Sequence, residues 1–165
     1  MKPAVRIRQA TGGRAIEQVT RLFEDYAKWI GIDLSFQNFD EELRSLPGEY
    51  QPPTGVLLLC RVDAEPAGCV AVRRLNQEDC EMKRLFVRDG FRGHGCGERL
   101  ARRAIQWAGR AGYRRLLLDT LPSMGAAHRL YEQLGFKETP PYRFNPVQGA
   151  RYMALDLCRE TPRSR

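Results

Sequence analysis

The chain of 165 residues carries 27 Lys and Arg against 20 Asp and Glu, a net charge of +7, and 42% of its residues are hydrophobic. That length predicts one compact domain over residues 1–160 with a frayed tail at 161–165, because single cores are typically built from about 100–200 residues. No apolar run nears the roughly 18 residues of a membrane span, residues 1–10 lack the apolar centre of a secretory signal, and the five cysteines form no C-x-x-C pair; the expectation is a cytoplasmic, non-membrane protein with reduced thiols and no metal site.

Val5–Ala10 reads as a short first strand. Ile16, Val19, Leu22, Phe23, Tyr26 and Ile30 recur at helical spacing, which predicts an amphipathic helix over residues 14–30 that stops at Gly31. A second short helix is expected over Phe39–Leu46, ended by Pro47 and Gly48, and Pro52 with Pro53 gives an extended linker. Val56–Val62 and Cys69–Arg74 read as a hairpin around a reverse turn at 63–68. Residues 80–87 add a strand, Glu98–Ala111 a helix, 114–120 a buried strand, 124–136 a helix, and 152–157 a closing strand.

Between strand 80–87 and the helix after it stands Arg92-Gly93-His94-Gly95-Cys96-Gly97. Three glycines at every second position let the backbone approach a ligand, and the helix N-terminus behind them offers free N–H groups to an anion. A dinucleotide fingerprint needs a third glycine where Glu98 stands, and a nucleotide P-loop needs Lys and Ser or Thr where Cys96 and Gly97 stand. What fits is Arg-x-x-Gly-x-Gly at Arg92, Gly95 and Gly97. This resembles the acetyl-CoA signature of the GCN5-related N-acetyltransferases (GNAT), and Leu130-Tyr131 leading to Gly135-Phe136 resembles that family's later helix. Met124 departs from the pattern, standing where many members carry an Asn that contacts the cofactor.

The resemblance implies an α+β fold with a single central, mixed but mostly antiparallel sheet, splayed between its fourth and fifth strands and flanked by helices. It implies acetyl-CoA bound along the main chain of Leu85, Phe86 and Val87, with the pyrophosphate on Arg92, Gly93, His94, Gly95, Cys96, Gly97 and Glu98. The backbone N–H of Val87 would polarise the thioester carbonyl. Arg92, Arg99, Arg102 and Arg103 form the densest basic group, which reads either as a solvated surface or as the source of one or two contacts to the adenosine phosphates of coenzyme A. Transfer to a primary amine of a small molecule or peptide needs a proton acceptor, for which Glu81 is the candidate with Glu78 and Asp79 as rivals, and a proton donor to the thiolate, matched by Tyr131. The acceptor pocket would draw on Tyr26, Trp29, Phe36, Arg73, Tyr142 and Arg143, with Phe39 and Tyr50 beside them; a core role is the competing reading for the aromatics and a solvated one for the arginines. A homodimer is compatible with this reading.

The positive charge is spread from Arg6 to Arg165 without an aromatic-interleaved basic stripe, so nucleic acid is not an expected partner. His94 and His128 lack metal-ligand spacing and read as surface or packing residues. Two other readings stay open: a non-catalytic acyl-CoA sensor, which needs the cradle but neither Glu81 nor Tyr131, and a basic nucleic-acid-binding domain.

Overall fold

The computed structural model describes residues 1–157; Cys158 and the tail expected at 161–165 lie outside the described residues. The elements are β1 (Val5–Gln9), α1 (Gly13–Ile30), α2 (Phe39–Ser45), β2 (Val56–Val62), β3 (Glu65–Arg74), β4 (Asp79–Val87), α3 (Cys96–Arg110), β5 (Arg115–Thr120), α4 (Gly125–Gln133), β6 (Lys137–Glu138) and β7 (Arg151–Asp156). They form one sheet in the order β1-β2-β3-β4-β5-β7-β6. Every neighbouring pair is antiparallel except β4 with β5. The expected mixed sheet is therefore present.

The two faces of the sheet carry two cores, as the period of a strand dictates. Leu58, Cys60, Val70, Val72, Met82, Leu116 and Leu118 pack with Leu100 and Ala104 of α3 and Tyr131 of α4. On the other face Leu57, Leu59, Cys69, Ala71 and Phe86 pack with Val19, Leu22, Phe23 and Tyr26 of α1. Those α1 residues are its buried stripe, and Gly31 closes the helix in the left-handed region at φ 68°, its N–H donating to the Ala27 carbonyl.

The hairpin between β2 and β3 is tighter than expected. Asp63 and Ala64 both hold positive φ, 48° and 70°, and Val62 pairs directly with Glu65. Two such residues make a turn whose twist suits the flanking strands, so β3 starts four residues before the expected Cys69.

One local distortion positions everything that follows. Arg84 sits inside β4 at φ 61°, and opposite it the register with β3 shifts between Cys69 and Ala71, which pair with Phe86 and Lys83. An extra residue in one strand bends it and strengthens its twist. Correspondingly, β4 pairs with β5 only at Asp79–Arg115, Cys80–Leu116 and Glu81–Leu117, although β4 runs on to Val87 and β5 to Thr120. Beyond Glu81 the two strands part, and β5 pairs along its whole length with β7.

Gly68 holds β3 against the far end of β4. A Cβ built there would lie 2.5 Å from the Phe86 carbonyl oxygen, closer than packed atoms allow. Gly68→Ala should therefore lower unfolding stability by about 2 kcal/mol, the scale of an overpacked core, as read from urea denaturation; an unchanged midpoint would show that β3 and β4 have slack here.

Candidate active site

The parting of β4 from β5 leaves a narrow void of about 50 Å³ lined by Met82, Lys83, Arg84 and Leu85 of β4, Leu118 to Leu121 of and after β5, Tyr26 of α1 and Tyr131 of α4. Beside it lies a more open pocket of about 560 Å³ between α2, the turn Gly48–Tyr50 and the loop before β7, lined among others by Glu41, Glu42, Glu49, Arg73, Lys83 and Arg143. Phe36, Gln37 and Lys83 line both.

Strand alternation sends Cys80 and Met82 into the core under α3 and brings Glu81 and Lys83 to the opposite face. Glu81 is 0% exposed. A carboxylate in that position has to be paired to stay charged, and three donors converge on it. Arg73 Nε donates to Oε1 at 2.9 Å, Arg143 donates to both oxygens at 3.1 and 2.9 Å, and the Tyr142 hydroxyl donates to Oε2 at 2.5 Å. Arg73 also reaches Glu49 at 2.8 Å, and Arg143 reaches Asp119 of β5 at 2.9 Å. Asn145 adds a bond to Asp119 at 3.1 Å. The loop before β7 thus ties β4 to β5 across the point where they separate. Tyr142 is kept protonated by its burial and by the charge of Glu81, which raise its pKa far above the ordinary phenol value.

A second buried ion pair anchors the bulge. Arg84 donates to Glu42 of α2 at 3.0 and 3.3 Å, and its guanidinium lies over the rings of Tyr26 and Phe39 at 5.6 and 5.2 Å. Planar stacking with bidentate pairing suits arginine rather than lysine. Burial opposes the charge on Glu42, but Arg84 outweighs it and holds the carboxyl below its ordinary range. Tyr50 adds a bond to the same carboxylate at 2.7 Å.

Tyr131 is buried, packs its ring 5.6 Å from Phe136 and lines the void from the α4 side. Burial, with the nearby Tyr26 and Asp119, raises its pKa well above the ordinary phenol value. It is a hydroxyl that keeps its proton until a strong base forms beside it.

At the end of β4 the chain turns through Asp89–Phe91 into the glycine run. Gly93 and Gly95 hold φ 88° and 75°, a region that costs any residue with a Cβ, and Gly95 is the N-cap of α3 without a side-chain cap. Among the described residues no acceptor takes the amides of Gly93 to Glu98; the first bond of the helix is Arg99 N to Gly95 O at 3.1 Å. That is a run of free N–H groups at the positive end of a 15-residue helix. Such a run fits a pyrophosphate.

The expected residues fall into three groups. Glu81, Arg73, Tyr142 and Arg143 come together, and Tyr26, Phe36, Leu85 and Tyr131 reach the void or its mouth. Arg92, Gly93, His94, Gly95, Cys96, Gly97 and Glu98 make the cradle. Arg92 is engaged by Asp89 at 2.7 Å, by the Val87 carbonyl at 3.2 Å and by the ring of Trp29 at 5.1 Å. Trp29 itself packs 5.7 Å from Phe86 under Arg92 and lines neither the void nor the open pocket. The rivals Glu78 and Asp79 pair with Arg114 and Arg115 and line a separate hollow. Cys96 is a buried core residue. Sequence reasoning missed Glu42, Lys83, Arg84 and Asp119. The available signal was the charged pair Lys83-Arg84 inside a strand that otherwise reads as buried, since charges there need built partners.

The description Acetyltransferase (GNAT) family belongs to a family model that matches residues 16–136. An uncharacterized N-acetyltransferase of Schizosaccharomyces pombe is 40% identical over 146 residues, 87% of this chain and 90% of that protein. The N-acetylaspartate synthetase of Danio rerio is 34% identical over 106 residues, 61% of this chain and 38% of that protein. Among solved structures, the Salmonella typhimurium protein YncA with its cofactor acetyl-CoA superposes with a TM-score of 0.67 at 20% identity, covering 94% of this chain and 95% of that one; a likeness at that identity speaks to the fold.

Glu81→Gln leaves two partly buried guanidiniums short of their shared counter-charge. Loss of one partner of a buried pair costs about 3–5 kcal/mol, so the variant should lose roughly that in chemical denaturation. A loss under about 1 kcal/mol would mean that the cluster does not hold the sheet together.

Proposed function

The chain belongs to the acetyltransferase (GNAT) family, and from that premise we propose that it is an N-acetyltransferase moving an acetyl group from acetyl-CoA to a primary amine of a small molecule or peptide within a ternary complex. The observation that carries this reading is the row of free amides from Gly93 to Glu98 at the foot of α3, set beside two strands that part. Acetyl-CoA supplies an activated acyl thioester when bound. Leu85, Phe86 and Val87 present main chain along the edge of β4 that has left β5, and Arg92 to Glu98 hold the pyrophosphate by backbone N–H groups and helix dipole. Residues 1–160 act as one catalytic domain, in the cytoplasm.

The acceptor enters from the open pocket. Glu41, Glu42 and Glu49 face Arg73, Lys83 and Arg143 around it. A lining with three carboxylates and the guanidiniums of Arg73 and Arg143 suits an amine that also carries an acidic group, and the relative named N-acetylaspartate synthetase favours the same class. Tyr142 and Arg143 shape the wall opposite α2, with Phe36 at the junction. Glu81 acts by fixing Arg73 and Arg143 in place, both its oxygens being engaged by their donors. Tyr131 supplies the proton to the departing sulfur, as its raised pKa and its place in the void support.

Thiol release from acetyl-CoA across a panel of amines tests the reading, with the greatest release expected from amines bearing a carboxylate and none from acetyl-CoA alone. Tyr131→Phe should keep acetyl-CoA affinity and lower kcat by roughly 10- to 1000-fold; an unchanged kcat would assign the proton donor elsewhere. Gly97→Val meets only Val87, with its Cβ 3.8 Å from the Val87 side chain. It should therefore fold yet lose acetyl-CoA binding in calorimetry, because a branched side chain stands where phosphate must approach the backbone. Retained affinity would remove the cradle from the account.

A further inference from the structure

Lys83 occupies a position that neither the family pattern of glycines nor the ion pairs explain. It is one of four lysines in the chain, its side chain is 4% exposed, and it stands where the void between β4 and β5 meets the open pocket. Among the described residues its Nζ makes no hydrogen bond; the nearest carboxylate oxygen is Glu42 Oε1 at 3.9 Å, and that carboxylate is already taken by Arg84 and Tyr50. A buried amine held this loosely is the inverse of Glu81 one turn of the pleat away, which has donors on both oxygens.

We propose that Lys83 is the proton acceptor of the transfer reaction, its neutral amine taking a proton from the incoming ammonium group of the acceptor at the junction of the two cavities. The proposal rests on the transferase reading. Lys83 takes one proton from the acceptor nitrogen; the freed lone pair forms the C–N bond to the acyl carbon as the C–S bond breaks. The sulfur leaves with the proton of Tyr131, and the second proton of the nitrogen restores Tyr131. Lys83 then returns its proton to water through the open pocket.

The charges around Lys83 favour a neutral amine. β4 contributes Glu81 and Arg84, α2 Glu41 and Glu42, the turn after it Glu49, β3 Arg73, β5 Asp119, the loop before β7 Arg143, and α1 and α4 the hydroxyls of Tyr26 and Tyr131. The carboxylates nearest to it are engaged by arginines, so they compensate its burial poorly. Burial, with the charge of Arg84, lowers its pKa from 10.5 to about 7. A base with that value is half deprotonated at neutral pH, the condition under which proton transfer is most efficient.

The test pairs a chemical titration with kinetics. Trace labelling with acetic anhydride across pH, read by peptide mass spectrometry, should give Lys83 a reactivity midpoint near 7, against a midpoint near 10 for a free lysine peptide labelled alongside. In wild-type enzyme log kcat/KM should rise with unit slope up to about pH 7. Lys83→Met, which swaps a buried amine for an apolar chain of similar length, should fold, keep its acetyl-CoA affinity and lose that limb. Its rate should fall at least about 10-fold at pH 7 and climb toward the wild-type rate near pH 10, where the acceptor loses its own proton. Lys83→Arg, a permanent cation, should be no better. A limb that persists in Lys83→Met, a Lys83 midpoint near 10, or a Lys83 that the small reagent cannot reach would each overturn the assignment while wild-type turnover upholds the transferase. A wild type that turns over no amine would remove the transferase reading and this role together.

Discussion

A carboxylate with no solvent contact, Glu81, sets the terms for the rest of the site. Buried without partners it would cost the fold heavily; Arg73, Arg143 and Tyr142 instead engage both of its oxygens. Those donors come from β3 and from the loop before β7, and Arg143 carries the connection on to Asp119 of β5. The sheet needs this tie. Backbone pairing between β4 and β5 ends at Glu81, and from there side chains have to hold the two strands in register while their main chains diverge.

The divergence itself is a backbone event with a side-chain lock. Arg84 holds a left-handed conformation that costs a residue with a Cβ about 1–3 kcal/mol, and its guanidinium is fixed by Glu42 and by two aromatic rings. The bulge frees the edge of β4 over Leu85 to Val87, and the same strand runs directly into the glycine turn and α3. One strand thereby lines up three features in sequence: an ion-pair cluster at Glu81, a cavity junction at Lys83, and a row of free amides from Gly93. Their relative placement is set by one bent strand and the short turn that follows it.

Much of this was legible in the chain. The glycine run, its failure to match two other cradles, and the Leu130-Tyr131 helix are local patterns, and local patterns survive without tertiary knowledge. The short apolar runs and the stripe of α1 likewise mark the strands and a helix with one buried face, while the arrangement of the sheet follows from the family resemblance. What stayed hidden depends on contacts between distant residues. The partners of Glu81 lie 8, 61 and 62 residues away, and Glu42 meets Arg84 across 42 residues. Charge in a strand announces that a partner exists without naming it. Trp29 shows the converse: helical spacing leaves an aromatic on α1 open between the acceptor pocket and packing, and only the fold sets it against Phe86 and Arg92.

Hydrogen exchange of the backbone amides with and without coenzyme A tests the central claim most directly, that a free row of N–H groups and an unpaired strand edge together form the ligand site. The account predicts that coenzyme A slows exchange over Leu85 to Val87 and over Gly93 to Glu98, and leaves the amides of the β1–β2 pair unchanged. Unaltered exchange in both segments at saturating coenzyme A would contradict it.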